Sequence, residues 1–160
     1  MSTFPAPRTC SFFEALLQTK ATQKGGFGLR YTENDMSTLD IRNMTRQKTV
    51  AFPFAKAHTH ILPGWEISLA FVGTERAKQM NESLRNKDYT PNVLSYETGT
   101  KSGEIVICPL VARKQAAEYD MTYTQFIGFL FIHGLLHLKG EQHGATMEKQ
   151  ERLLLKRFIS

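Results

Sequence analysis

Apolar and polar positions alternate most clearly over Trp65–Val72, where Ile67, Leu69 and Phe71 fall on one side of an extended chain. That spacing predicts a strand. Glu104–Cys108 is apolar on both faces and predicts an interior strand, ended by Pro109. Two shorter extended stretches are predicted at Leu39–Asn43, from its alternation, and at Val93–Tyr96. The Gly- and Lys-bearing turn Thr98–Gly103 would join the last two strands as a hairpin.

Helical periodicity takes over elsewhere. Pro53 suits the first turn of a helix to about Leu62, which Pro63-Gly64 ends. Thr74 is the expected N-cap of a helix through about Arg85, followed by the polar turn Asn86–Asn92. Leu110–Tyr119 reads as helical. A threonine cap after Asp120 precedes a long helix, Tyr123–Leu138. That helix is apolar nearly all round, so it is expected to be central and buried. Thr146–Phe158 forms a last amphipathic helix with Met147, Leu154 and Phe158 on one stripe.

Residues 1–37 read as an N-terminal extension, expected to be flexible in part. Within it, Ser11–Thr19 predicts a short helix capped by Ser11, and the three glycines of Gln23–Gly28 predict a loop. Residues 38–160 are expected to form one domain of the α/β (α+β) class. It would be a small mixed sheet of about four strands packed with helices.

Composition changes this picture little. A chain of 160 residues with 41% hydrophobic and 22% charged residues is an ordinary globular domain. The net charge of +5 permits a polyanionic partner without requiring one. Two cysteines without paired spacing suit a reducing compartment, here the cytoplasm. The N-terminus has no signal-peptide core, and the most apolar run, Phe126–Leu138, is too short to span a bilayer. No membrane association is expected.

Candidate chemistry is concentrated in His133-Gly-Leu-Leu-His137-Leu-Lys-Gly140-Glu-Gln-His143, which holds three of the five histidines. His133 and His137 are one helical turn apart on one face. Gly140 is a natural helix stop, after which the chain can turn and return His143 to the other two. Buried imidazoles on an apolar helix need partners that such a helix does not supply. Three neutral imidazoles around one point suit a divalent transition metal, most plausibly Zn2+, with a fourth position open for water. His58 and His60 are two apart, point to different helix faces, and read as packing or surface residues.

The spacing His-x-x-x-His-x-x-Gly-x-x-His is that of the metzincin proteases. Those enzymes carry a glutamate, the general base, directly after the first histidine. Here that position is Gly134, which argues against peptide hydrolysis by that mechanism.

The motif HGLLHLKGEQH resembles the signature of the YbeY family of bacterial rRNA maturation factors. Asn81–Tyr96 is similar to that family's stretch ahead of its hairpin, Gly103–Cys108 to its central strand, and Met147–Leu154 to its C-terminal helix. The resemblance covers about residues 39–158. It implies a zincin-like fold and a single-strand-specific, metal-dependent endoribonuclease acting in 16S rRNA 3′-end maturation and ribosome quality control. It implies rRNA, the small ribosomal subunit and its maturation factors as partners, not DNA. His133, His137 and His143 match the zinc ligands, and the same three with Arg85 form the implied catalytic set. Arg85 matches an arginine near the metal cleft, where a guanidinium can grip phosphate bidentately. Lys87, Lys101 and Lys139 are candidates for contacts to the RNA backbone.

The chain departs from the family at Glu141-Gln142, where Tyr-Asp is usual, and at Thr90-Pro91-Asn92, where the order is usually Pro-Thr-Asn. Glu141 could supply the missing carboxylate. Two other readings stay open. One is a metallohydrolase of another substrate, including a peptidase-like zincin. The other is a non-catalytic ribosome-associated factor with a four-ligand structural metal, for which Cys10 or Cys108 would have to serve.

Overall fold

A computed structural model describes residues 29–32 and 37–159. The expected helix at Ser11–Thr19, the loop at Gln23–Gly28 and Cys10 lie outside the described residues. Five strands form one sheet: β1 (Leu29–Thr32), β2 (Thr38–Asn43), β3 (Glu66–Phe71), β4 (Val93–Gly99) and β5 (Ser102–Ile107), in the order β1-β2-β3-β5-β4. The three central strands are parallel, and each edge strand is antiparallel to its neighbour. The expected strands are β2–β5, and β1, inside the stretch 1–37, adds an edge strand to their sheet. Backbone pairing to β2 holds this strand in place, and backbone pairing leaves little trace in side-chain alternation.

The helices are α1 (Phe54–Ile61), α2 (Thr74–Arg85), α3 (Pro109–Gln115), α4 (Tyr123–Leu138) and α5 (Ala145–Ile159), with a 3-10 turn at Ala116–Tyr119. Alternation along the strands sorts them into two layers. Leu69, Ile105 and Ile107 face α4 and α1, while Ala70, Val106 and Leu94 face Ala77 and Met80 of α2. Two expected boundaries shift. Gly73, extended at φ −74°, is the N-cap of α2 and makes no side-chain cap bond, so Thr74 is the first helical residue. The hairpin turn is tighter than Thr98–Gly103, because Lys101 takes a left-handed φ of 52° and the arms run to Gly99 and from Ser102.

Helix α4 is buried as expected, and its start is built by a capping box. Thr122 Oγ1 accepts from the Gln125 N–H at 3.3 Å, and Gln125 Oε1 accepts from the Thr122 N–H at 2.8 Å. Two glycines let the helix lie close on the sheet. A β-carbon at Gly103 would meet Leu138 at 2.8 Å, and one at Gly134 would press on three Ile105 atoms at 3.1–3.2 Å. No helix among the described residues is long and apolar enough to cross a membrane.

Buried charge lies away from the histidines too. Glu104 is enclosed on the α2 side of the sheet, where it accepts the Tyr96 hydroxyl, and burial pushes its carboxyl up to about 7. His58 is 1% exposed in the α1–α4 layer, and its Nε2 has no hydrogen-bond partner among the described residues. The packing reading of His58 therefore holds, and burial lowers its pKa from 6.5 to about 4. Unfolded chains take up a proton at this residue below pH 6.5, whereas the folded chain does so only near 4. The contribution of His58 to folding stability should accordingly fall by about 1–3 kcal/mol from pH 6.5 to 4 and level off below. Glu104, whose carboxyl takes its proton at about 7 in the folded chain, acts in the opposite direction, so the His58 effect is read as the difference between wild type and variant. Denaturant melts of wild type and His58→Leu across that range check this. Equal pH slopes for the two would refute it.

Candidate metal centre

Helix α4 sets His133 and His137 one turn apart on the face that looks past edge strand β4. The helix then ends in a Schellman turn. Gly140 adopts φ +97°, its N–H donates to the His137 carbonyl at 2.9 Å, and the Glu141 N–H donates to the Leu136 carbonyl at 3.0 Å. A residue with a β-carbon would be strained at that φ. The turn aims the Glu141 carbonyl at His137 Nδ1, 3.0 Å away, and doubles the chain back to deliver His143.

The three imidazoles converge. Ring centroids lie 4.5 Å apart for His133 and His137, 4.4 Å for His137 and His143, and 5.2 Å for His133 and His143. One ligand nitrogen from each lies within 4.8 Å of the others. The neighbours decide the tautomers. Glu151 Oε1 sits 2.7 Å from His133 Nδ1, and a carbonyl faces His137 Nδ1. A carboxylate and a carbonyl only accept, so both Nδ1 atoms carry the proton. Both Nε2 atoms then present lone pairs, 3.0 Å apart. Two lone pairs at that separation repel unless positive charge lies with them. Burial, and then the neighbouring His133, hold His137 below its ordinary pKa, which favours the neutral ligand form. The donor set therefore fits a divalent transition metal, and three imidazoles leave a four-coordinate ion one position for water.

Glu151 is the functional residue that sequence reasoning missed. It lies on α5 between Met147 and Leu155, at i, i+4 and i+8, and all three are buried. An acidic residue on the buried stripe of an amphipathic helix was the available signal. Its carboxylate holds the His133 ring by Nδ1, the arrangement that orients a histidine and raises its basicity wherever it ligates a metal. Replacing Glu151 by alanine should weaken divalent-metal binding by about ten- to a hundred-fold, with Glu151→Gln retaining part of it. Competition with a calibrated chelator measures this. Unchanged affinity in both variants would remove the assigned role.

Arg85, the last residue of α2, shares a cleft of about 310 Å³ with all three histidines and with Val93, Leu94 and Ser95 of β4. Asn81 holds the loop that follows. Its buried amide donates to the Lys87 and Tyr89 carbonyls at 3.2 and 3.0 Å, while Asn86 closes the helix at φ 53°. Lys87 lies in that loop, Lys101 in the hairpin turn and Lys139 at the end of α4, all exposed. None of these lysines lines the cleft that Arg85 shares with the histidines.

Cys108 is buried on the α2 side of the sheet and is no part of the histidine group. It therefore gives no support to the four-ligand structural site. The Glu141 side chain accepts from Gln150 at 3.3 Å. The carboxylate that meets the histidines is Glu151, and Glu141 contributes through its backbone.

Three convergent histidines, two of them on a helix laid across a mixed sheet, define a zincin-like metal-site domain of the α+β class. A family model described as Endoribonuclease YbeY matches residues 30–158, and the chain belongs to that family. Among relatives named endoribonuclease YbeY, the protein of Bdellovibrio bacteriovorus is 38% identical over 80 residues, covering 49% of this chain and 53% of that protein. The Thiobacillus denitrificans protein is 35% identical, covering 58% of this chain and 70% of its own. The Burkholderia lata protein is 30% identical over 149 residues, covering 90% and 82%. A Thermotoga maritima protein solved in solution shares the fold at a TM-score of 0.50, with 23% identity over 64% of this chain and 77% of that one.

Proposed function

We propose that this chain is a zinc-dependent, single-strand-specific endoribonuclease, acting in the cytoplasm on the 3′ end of 16S rRNA during small-subunit maturation and quality control. The observation that carries the reading is the shared cleft of Arg85 and the three histidines. A guanidinium beside three ligating imidazoles is suited to a phosphodiester. It can take two phosphate oxygens at once and stabilise the charge that develops during phosphoryl transfer. When bound, a divalent metal supplies Lewis acidity and a water activated near neutral pH. His133, His137 and His143 would hold it, Glu151 and the Glu141 carbonyl would keep the rings in register, and Arg85 would orient the phosphate.

The peptidase alternative fares worse. The position where a peptidase carries its glutamate is Gly134, which packs on Ile105 with no space for a side chain unless Ile105 moves. Family membership supports RNA as the substrate class. The net charge of +5 is compatible with a phosphate backbone. The substrate assignment is tested by incubating metal-loaded and chelator-treated protein with immature small-subunit particles and mapping the RNA ends. Metal-dependent shortening at the 16S 3′ end supports it. Unchanged ends with loaded protein contradict it.

A further inference from the structure

A second cleft, of about 380 Å³, opens on the other side of His133 and His143 from Arg85. Aromatic side chains form one wall. Phe126, Phe129 and His133 follow one another along a single stripe of α4, at i, i+3 and i+7. Tyr119, at the end of the 3-10 turn, lies against this stripe. Its ring centroid is 5.0 Å from that of Phe126 and 6.2 Å from that of Phe129. Phe129 is in turn 6.1 Å from the His133 ring. Phe126 is fully buried and acts as the base of the shelf, whereas Tyr119 is 52% exposed.

Burial does not account for an aromatic residue left half in solvent in a cleft that it shares with His133 and His143. Asn92 adds a polar group on the opposite lip, and its amide is fixed by donating to Gln115 Oε1 at 2.8 Å. Glu148 and Glu151 complete the polar lining, as acceptors that suit the N–H groups of a neutral base. An apolar wall joined to a few oriented polar groups is the usual make-up of a small-ligand site. The cleft is also continuous with the histidine centre, about one helical turn along α4 from His133.

We propose that this cleft is a nucleobase subsite: the base next to the bound phosphodiester stacks on Tyr119 and Phe129. The inference rests on the endoribonuclease reading above and extends it to how the substrate strand is held. Every base has a flat face, so stacking accepts any sequence but requires an unpaired base. The shelf thereby supplies a physical reason for preferring single strands. A base still paired in a duplex cannot turn into the cleft without unstacking.

The test uses the full-length, metal-loaded protein and a short single-stranded oligoribonucleotide, beside the same oligomer made of abasic ribose phosphates. Tyr119→Ala should bind the base-bearing RNA roughly ten-fold more weakly than wild type. Tyr119→Trp should match or exceed wild type. The three proteins should bind the abasic strand alike, with equal metal content and melting temperature. The subsite is overturned if Tyr119→Ala binds base-bearing RNA as wild type does, or loses as much on the abasic strand. If wild type neither binds nor cleaves RNA, the endoribonuclease reading fails and the subsite with it. If wild type cleaves RNA and Tyr119→Ala is indifferent, the subsite alone fails.

Discussion

Purified His133→Ala is expected to carry no stoichiometric metal and to show no RNA cleavage above background. Three histidines converge on the site, and His133 is the one tied to Glu151 by a 2.7 Å bond. Removing it takes away a donor and strands a buried carboxylate, so neither the ion nor its orienting partner survives. Two ligands are too few to hold zinc against competing buffers and water. The fold should persist, because His133 is partly exposed at the cleft while the core is made of Phe131, Ile132, Leu135 and their neighbours. Metal analysis and circular dichroism on one preparation check both halves. A folded variant that retains full metal and cleaves RNA would refute the assignment of His133.

Arg85→Ala is expected to separate binding of the metal from use of it. Arg85 is exposed at the end of α2, and the ring contacts of His133 and His137 with Glu151 and the Glu141 carbonyl do not involve it. Metal content should stay at the wild-type level. Cleavage should fall by about a hundred- to a thousand-fold, the scale seen when one preorganised donor is removed from a charge-stabilising site. Arg85→Lys should restore only part of that loss, since an ammonium cannot reproduce the planar two-point grip on phosphate. Single-turnover cleavage of a single-stranded oligoribonucleotide measures the effect. Equal rates for wild type and Arg85→Ala would leave the guanidinium with no part in the reaction.

Much of this site is written in local periodicity. The i, i+4 histidines, the Gly140 stop and the return of His143 are all short-range features, so spacing alone brought them together. β3, β5 and α4 were equally legible, because one-sided or two-sided burial imposes a plain period on the side chains. What escaped notice depends on contacts distant in sequence or on the backbone. Glu151 touches His133 across 18 residues, and only the docking of α5 on α4 reveals the pair. The Glu141 carbonyl serves His137 whatever side chain that residue bears, so the departure at Glu141 leaves this contact in place. β1 is held through backbone pairing to β2, which its composition does not announce. Charge and sequence proximity point to Lys87, Lys101 and Lys139, and charge alone does not say which way a long surface side chain reaches.

The assignment stands or falls on whether the three histidines hold a metal that the RNA chemistry requires. The direct measurement is cleavage of one defined single-stranded RNA by the same preparation before chelation, after chelation, and after titration with zinc. Activity is expected to disappear with the metal and to return in proportion to bound zinc, reaching a plateau near one ion per chain. Cleavage that persists through complete metal removal, or that stays absent when all sites are filled, would contradict a catalytic metal centre at His133, His137 and His143.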